Sequence, residues 1–209
     1  MKNSLLAIAT VVALAACSSA PKAPDKPVAT STAKGATVNL ASASASLVSG
    51  KLNVMPMGDG VHLTGEVGGF APYSVHAIHI HEKGDCSAAD ASSAGGHFNP
   101  GGSAHGKVDH GAHHGGDMDN IVANAEGVAT VNVHASGVTL GGGAANDVAG
   151  KGVIVHASAV DYKTQPTAGL PPQSDVVQQR RHRQHFGVVR LTLVLRDAGG
   201  EQPRAHDVV

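Results

Sequence analysis

His79 and His81 close the run Ser74-Val75-His76-Ala77-Ile78-His79-Ile80-His81, whose branched apolar residues suit a β-strand. In a strand, residues i and i+2 share a face, about 6.6 Å apart along the chain, so these two imidazoles can converge on one ion. His76 has the opposite parity and faces away, as a hydrogen-bonded support behind the ligands rather than a ligand. Further histidines follow in Gly95-Gly96-His97-Phe98-Asn99-Pro100, in His105-Gly106 and in His114-Gly115-Gly116-Asp117. Downstream, Gly152-Val153-Ile154-Val155-His156 ends a second apolar run on a histidine. Neutral imidazoles suit copper and zinc, and one carboxylate among them is typical of zinc. Any one of these residues alone reads as solvated loop or satisfied core; the set together points to metal chemistry.

The remaining histidines are not needed for such a site. His110 and His113 precede His114 in His110-Gly111-Ala112-His113-His114, and His113 is a register rival to it. His62 and His134 sit in alternating strand patterns and read as spectators.

Elements that could position the set are legible in the spacing of apolar residues. Val38 and Leu40, Leu52 and Val54, then Val61, Leu63 and Val67 alternate in short runs, followed by runs at 75–80, 128–133 and 152–155. Turn-formers separate them, including Met57-Gly58-Asp59-Gly60, Gly68-Gly69 and Ala125-Glu126-Gly127. That pattern predicts an all-β sandwich or barrel. Residues 82–120 carry almost no strand pattern, and a connection so long in a compact domain is usually functional or disordered. Gly141-Gly142-Gly143 matches no phosphate-loop spacing and reads as a plain turn. The 209 residues carry a formal net charge of -1, which gives no reason to expect nucleic acid as a partner.

The chain opens with Met1-Lys2-Asn3-Ser4 and an apolar run over 5–16, too short to span a membrane but the size of a secretory leader's core. Leu14-Ala15-Ala16-Cys17 resembles a bacterial lipobox, in which the cysteine is lipidated and becomes the mature N-terminus. The expected organisation is a leader over 1–17, a flexible linker over 18–35, a domain over 36–167 and a tail over 168–209. That places the domain outside the cytoplasm, as a membrane-anchored lipoprotein in the periplasm of a Gram-negative bacterium.

Over roughly residues 36–167 the chain resembles the bacterial copper/zinc superoxide dismutases. The resemblance rests on Ala77-Ile78-His79-Ile80-His81-Glu82-Lys83-Gly84-Asp85-Cys86, Ala94-Gly95-Gly96-His97-Phe98-Asn99-Pro100, His105-Gly106, His114-Gly115-Gly116-Asp117-Met118-Asp119-Asn120-Ile121 and Val155-His156-Ala157. It implies a Greek-key β-barrel with copper and zinc as cofactors. His79, His81, His97 and His156 match the copper ligands. His97, His105, His114 and Asp117 match the zinc ligands, with His97 shared. Only His114 keeps the family's three-residue step to Asp117. The implied activity converts superoxide to oxygen and hydrogen peroxide by Cu(II)/Cu(I) cycling, with His97 as proton donor. Monomer and homodimer both remain open.

Three departures from the family pattern stand out. The tail lacks the Gly-x-Arg-x-x-Cys-Gly-Val string that supplies an anion-guiding arginine and the second cysteine of a disulfide. No cysteine follows Cys86, and the sequence does not select which of Arg180, Arg181, Arg183 or Arg190 guides the anion. The resemblance thus implies a fold that leans on its metals for stability. All nine lysines lie at or before Lys163 and all six arginines at or after Arg180, which suggests a shifted reading frame near Thr167. Phe186-Gly187-Val188-Val189-Arg190-Leu191-Thr192-Leu193-Val194-Leu195 could alternatively replace the last strand. Val160 stands where the family usually has an aspartate hydrogen-bonded to ligands of both metals; either Asp161, one step later, takes that place after a local shift, or zinc is held more weakly. A non-catalytic copper/zinc-binding envelope lipoprotein is the alternative to an enzyme.

Overall fold

The computed structural model describes residues 29–164. The leader with Cys17, the start of the linker, and the tail with its arginines and the 186–195 run lie outside the described residues. Within them the chain is all-β, as the alternation predicts. The strands are β1 (Ala36–Leu40), β2 (Ser49–Met57), β3 (Gly60–Gly68), β4 (Val75–His76), β5 (Ile78–His81), β6 (Ile121–Val122), β7 (Val128–Ser136) and β8 (Gly152–Val155). They form an antiparallel sheet in the order β1-β2-β3-β7, and two antiparallel pairs, β4 with β6 and β5 with β8.

Alternation decides which face of each strand is dry. Leu52 and Val54 of β2, Val61, Leu63 and Val67 of β3, and Ala129, Val131, Val133 and Ala135 of β7 point into one buried cluster, while polar neighbours face out. β5 and β8 differ, because every residue in both is buried. Ile78 and Ile80 join the core. His79 and His81, of the opposite parity, are covered by the long loop.

The run at 74–81, expected as one strand, is two. At Ala77 the chain changes partners: its N–H donates to the Ser158 carbonyl at 3.0 Å, and its carbonyl accepts from His156 N–H at 2.9 Å. β4 before it pairs with β6, and β5 after it pairs with β8.

The loop over 82–120 holds only a short 3₁₀ turn, Ser92–Ala94, yet it is tightly docked. Phe98 N–H donates to Ile80 O at 2.8 Å, Ile80 N–H to Gly116 O at 2.9 Å, and Gly116 N–H to Phe98 O at 2.8 Å. Two loop segments therefore converge on the backbone of β5 and bring His97 and Asp117 beside it. Gly116 is needed there, since a Cβ would stand 2.1 Å from the Ile80 carbonyl oxygen.

Candidate metal centre

Two groups of side chains follow from this docking, and they share residues. Ligand atoms of His79, His81, His97 and His156 lie within 4.8 Å of one another. So do those of His79, His97, His105 and Asp117. His114 completes the second side, with Nδ1 3.3 Å from Asp117 Oδ1. His79 falls within range of both because its ring stacks on His97, with centroids 3.9 Å apart. It rises from β5 among the other strand-borne histidines, whereas His114 and Asp117 belong to the loop.

The atoms that face one another are those a metal needs. His81 Nδ1–H donates to the Gly95 carbonyl at 2.9 Å, leaving the Nε2 lone pair 3.4 Å from Nε2 of His156. Around Asp117, Nδ1 of His97, His105 and His114 stand 3.0, 2.9 and 3.3 Å from a carboxylate oxygen. Ligands about 2.0 Å from a tetrahedral ion stand about 3.3 Å apart, close to these separations. His79 supplies the most direct sign of fit: it is fully buried, yet neither ring nitrogen has a hydrogen-bond partner. A buried imidazole without partners costs free energy unless something else takes its lone pair. The site fits metal ions.

Electrostatics agree. Burial, then the neighbouring imidazoles, hold His79 and His156 well below the usual histidine range. Burial and His97 push His81 down to about 3. These rings are therefore neutral at neutral pH and ready to bind. Burial alone would raise Asp117, but the imidazoles of His105, His114 and His97 and the His114 N–H outweigh it and hold the carboxylate well below its usual range. Asp117 Oδ2 also accepts from the N–H groups of Gly106 and His114, at 3.1 and 2.9 Å.

His76 stays out of both groups, as its parity requires. Its Nδ1–H donates to the backbone carbonyl of His156 at 2.9 Å, and its ring stacks on Phe70. His113 also turns away, with Nε2 2.7 Å from Ser136 Oγ. Asp161 lies outside both groups. Its carboxylate is exposed and closes its own turn, accepting from Lys163 N–H, Thr164 N–H and Thr164 Oγ–H at 2.9, 2.8 and 2.7 Å.

Sequence reasoning also missed Asn120. Its side chain clamps both the N–H and the carbonyl of Val160, at 3.1 and 3.0 Å, and its own N–H donates to Tyr162 Oη at 2.7 Å. The end of the loop is thereby tied to the segment following His156.

The family model for copper/zinc superoxide dismutase (SODC) matches residues 48–176. Similar curated proteins include a Cu-Zn superoxide dismutase of Caulobacter vibrioides, 38% identical over 125 residues, covering 57% of this chain and 71% of that protein. Cu-Zn superoxide dismutase 2 of Aquifex aeolicus is 36% identical over 122 residues, with the same coverage. A crystal structure of the clock protein EA4 aligns with a TM-score of 0.56 at 26% identity, covering 79% of this chain and 94% of that one.

Proposed function

This chain belongs to the copper/zinc superoxide dismutase family, an oxidoreductase using copper and zinc, and on that premise we propose how its own residues share the work. His79, His81, His97 and His156 hold the copper; His97, His105, His114 and Asp117 hold the zinc. The carboxylate supports the second assignment and the all-imidazole set the first. When bound, copper supplies one-electron exchange with superoxide and zinc supplies fixed positive charge.

His97 is the residue common to both sides. Its Nδ1 is fixed 3.0 Å from Asp117, which leaves Nε2 for the four-histidine side. Its side chain keeps 12% of its surface exposed while His79 and His81 have none, so a small anion arriving from solvent can meet His97 directly. Nε2 is accordingly the atom that takes up a proton and releases it to the reduced product, as a general acid beside the reaction. Two superoxide ions and two protons yield one oxygen and one hydrogen peroxide.

The observation carrying this reading is the fully buried, hydrogen-bond-free His79 inside a ring of imidazoles. Its test is turnover of the copper- and zinc-loaded full chain against equimolar free copper. Superoxide removal well above that control is expected; removal equal to it leaves the alternative of a non-catalytic metal-binding protein.

Location is a separate proposal. The apolar leader and Leu14-Ala15-Ala16-Cys17 support a lipoprotein anchored at Cys17 in the periplasm. Cys17→Ser is expected to abolish labelling by radioactive fatty acid and to leave the protein unanchored; unchanged labelling rejects the anchor.

A further inference from the structure

Among the described residues, β1 pairs with β2 alone and β8 pairs with β5 alone, so each strand leaves its other edge without a ladder. Both strands are nonetheless dry. Every residue of β8 is buried, and in β1 only Asn39 is exposed. Val38 of β1 and Val153 of β8 line one apolar cavity, together with Val54, Ile80 and Leu140. The two strands also come together beyond that cavity, since Ala43, shortly after β1, packs against the small cluster of Ala91, Ala94 and Ile154 of β8.

An unpaired strand edge presents a row of N–H and C=O groups, and burying such groups without partners costs free energy at each one. Two such edges bordering one apolar space call for a single strand between them, which supplies hydrogen bonds to both and apolar side chains to the cavity. Outside the described residues, the run Val188-Val189-Arg190-Leu191-Thr192-Leu193-Val194-Leu195 has the right pattern. In an extended chain Val189, Leu191, Leu193 and Leu195 fall on one face, and Arg190 and Thr192 on the other. The apolar run over 5–16 has no such alternation. Length permits the docking, because residues 165–185 span about 70 Å when extended, further than the breadth of a domain this size.

We propose that residues 188–195 of this same chain insert between β1 and β8 by strand addition, with Val189, Leu191, Leu193 and Leu195 turned to the cavity. β8 runs into His156 and pairs with β5, which carries His79 and His81. The inserted strand therefore backs the scaffold of the four-histidine side. That last step rests on the copper assignment above, whereas the docking itself is read from the backbone.

Amide hydrogen exchange of the full chain, loaded with zinc and with copper kept reduced, tests the docking. In the wild type, amides over 188–195 are expected to exchange at least a hundredfold more slowly than those of an unstructured peptide. In the Leu191→Asp/Leu193→Asp double variant that protection should vanish. Exchange over 36–40 and 152–155 should then quicken at least tenfold, while the ladder between β3 and β7 keeps its rate. Peptide-like exchange over 188–195 in the wild type, or unchanged rates at both edges in the double variant, overturns the insertion. Protection over 188–195 that disappears on dilution to the monomer assigns the strand to a second copy and overturns it equally. Should the double variant fail to fold, nuclear Overhauser contacts from 188–195 to Val38 and Val153 in the wild type decide: their presence supports the insertion and their absence overturns it.

Discussion

His79, His81 and His156 stand on or just beyond β5 and β8, whereas His105, His114 and Asp117 stand in a loop with almost no regular structure. The strand-borne side is placed by a ladder: His79 lies opposite Ile154 and His81 opposite Gly152. The loop side has no ladder and is gathered around one carboxylate. Asp117 takes two backbone N–H groups of the loop while three imidazole nitrogens surround it. The same metal-binding outcome is reached by a rigid scaffold on one side and by a buried anion on the other. His97, pinned through Phe98 to the Ile80 carbonyl of β5, joins the two.

The largest test of that contrast is Asp117→Ala. It strips two buried loop N–H groups of their acceptor, at about 1–3 kcal/mol each, and removes the anion about which the imidazoles gather. A loss of about 3–5 kcal/mol is expected in chemical denaturation of the metal-free protein. In the reconstituted protein, zinc content should fall towards zero while copper stays near its normal complement. Joint loss of both metals would mean that the strands do not hold their side independently.

Acid separates the two sides next. The folded pKa values of His79, His81 and His156 are lowered from an unfolded value near 6.5, that of His81 to about 3. A base lowered on folding contributes stability that is fully present above its unfolded pKa and is lost as pH falls towards the folded one. The strand side therefore weakens from about pH 6.5 down to about pH 3, by about 1.4 kcal/mol per pH unit for each ring that must stay neutral. Asp117, a carboxylate lowered on folding, keeps its contribution until pH falls below its unfolded value near 4. On metal-free unfolding these three rings should thus take up nearly three protons at about pH 5, and His76, also lowered by burial, adds to that uptake. His81→Gln should reduce that slope by close to one proton, and Asp117→Asn should leave it unchanged at that pH. A flat stability curve between pH 6.5 and 5 contradicts the desolvated histidines.

How much a sequence reveals follows from what each pattern encodes. Parity within a strand is local, so spacing alone puts His79 and His81 on one face and His76 on the other. The same holds for the inward faces of β2, β3 and β7. The loop over 82–120 is legible as a functional connection because it lacks alternation and is rich in histidine. Which strands lie side by side is not local. The exchange of partners at Ala77 depends on pairing between distant segments. Of the neighbouring pair in the loop, only His114 joins Asp117, while His113 reaches out to Ser136, as the three-residue step to the aspartate implies.

Asp161 gives the smallest and most discriminating test. Sequence position made it the candidate to orient ligands of both metals, a role worth tenfold to about a hundredfold in metal affinity. The structure instead gives its oxygens to Lys163 and Thr164 in an exposed turn. Backbone and hydroxyl donors of Thr164, then Lys163 N–H, draw its pKa down to about 2, as expected of a turn carboxylate solvated by its own loop. Asparagine in its place keeps an acceptor for both backbone N–H groups. Asp161→Asn should therefore leave zinc affinity, measured by chelator competition, within a factor of about two of the wild type. The loop side would then be held by Asp117 and by the Asn120 clamp on the Val160 backbone, with no carboxylate supplied by the segment beyond His156. A tenfold loss of zinc affinity would show instead that the carboxylate one residue beyond the clamp reaches back to the centre when the metals are bound, so that the segment beyond His156 supplies charge as well as a backbone anchor.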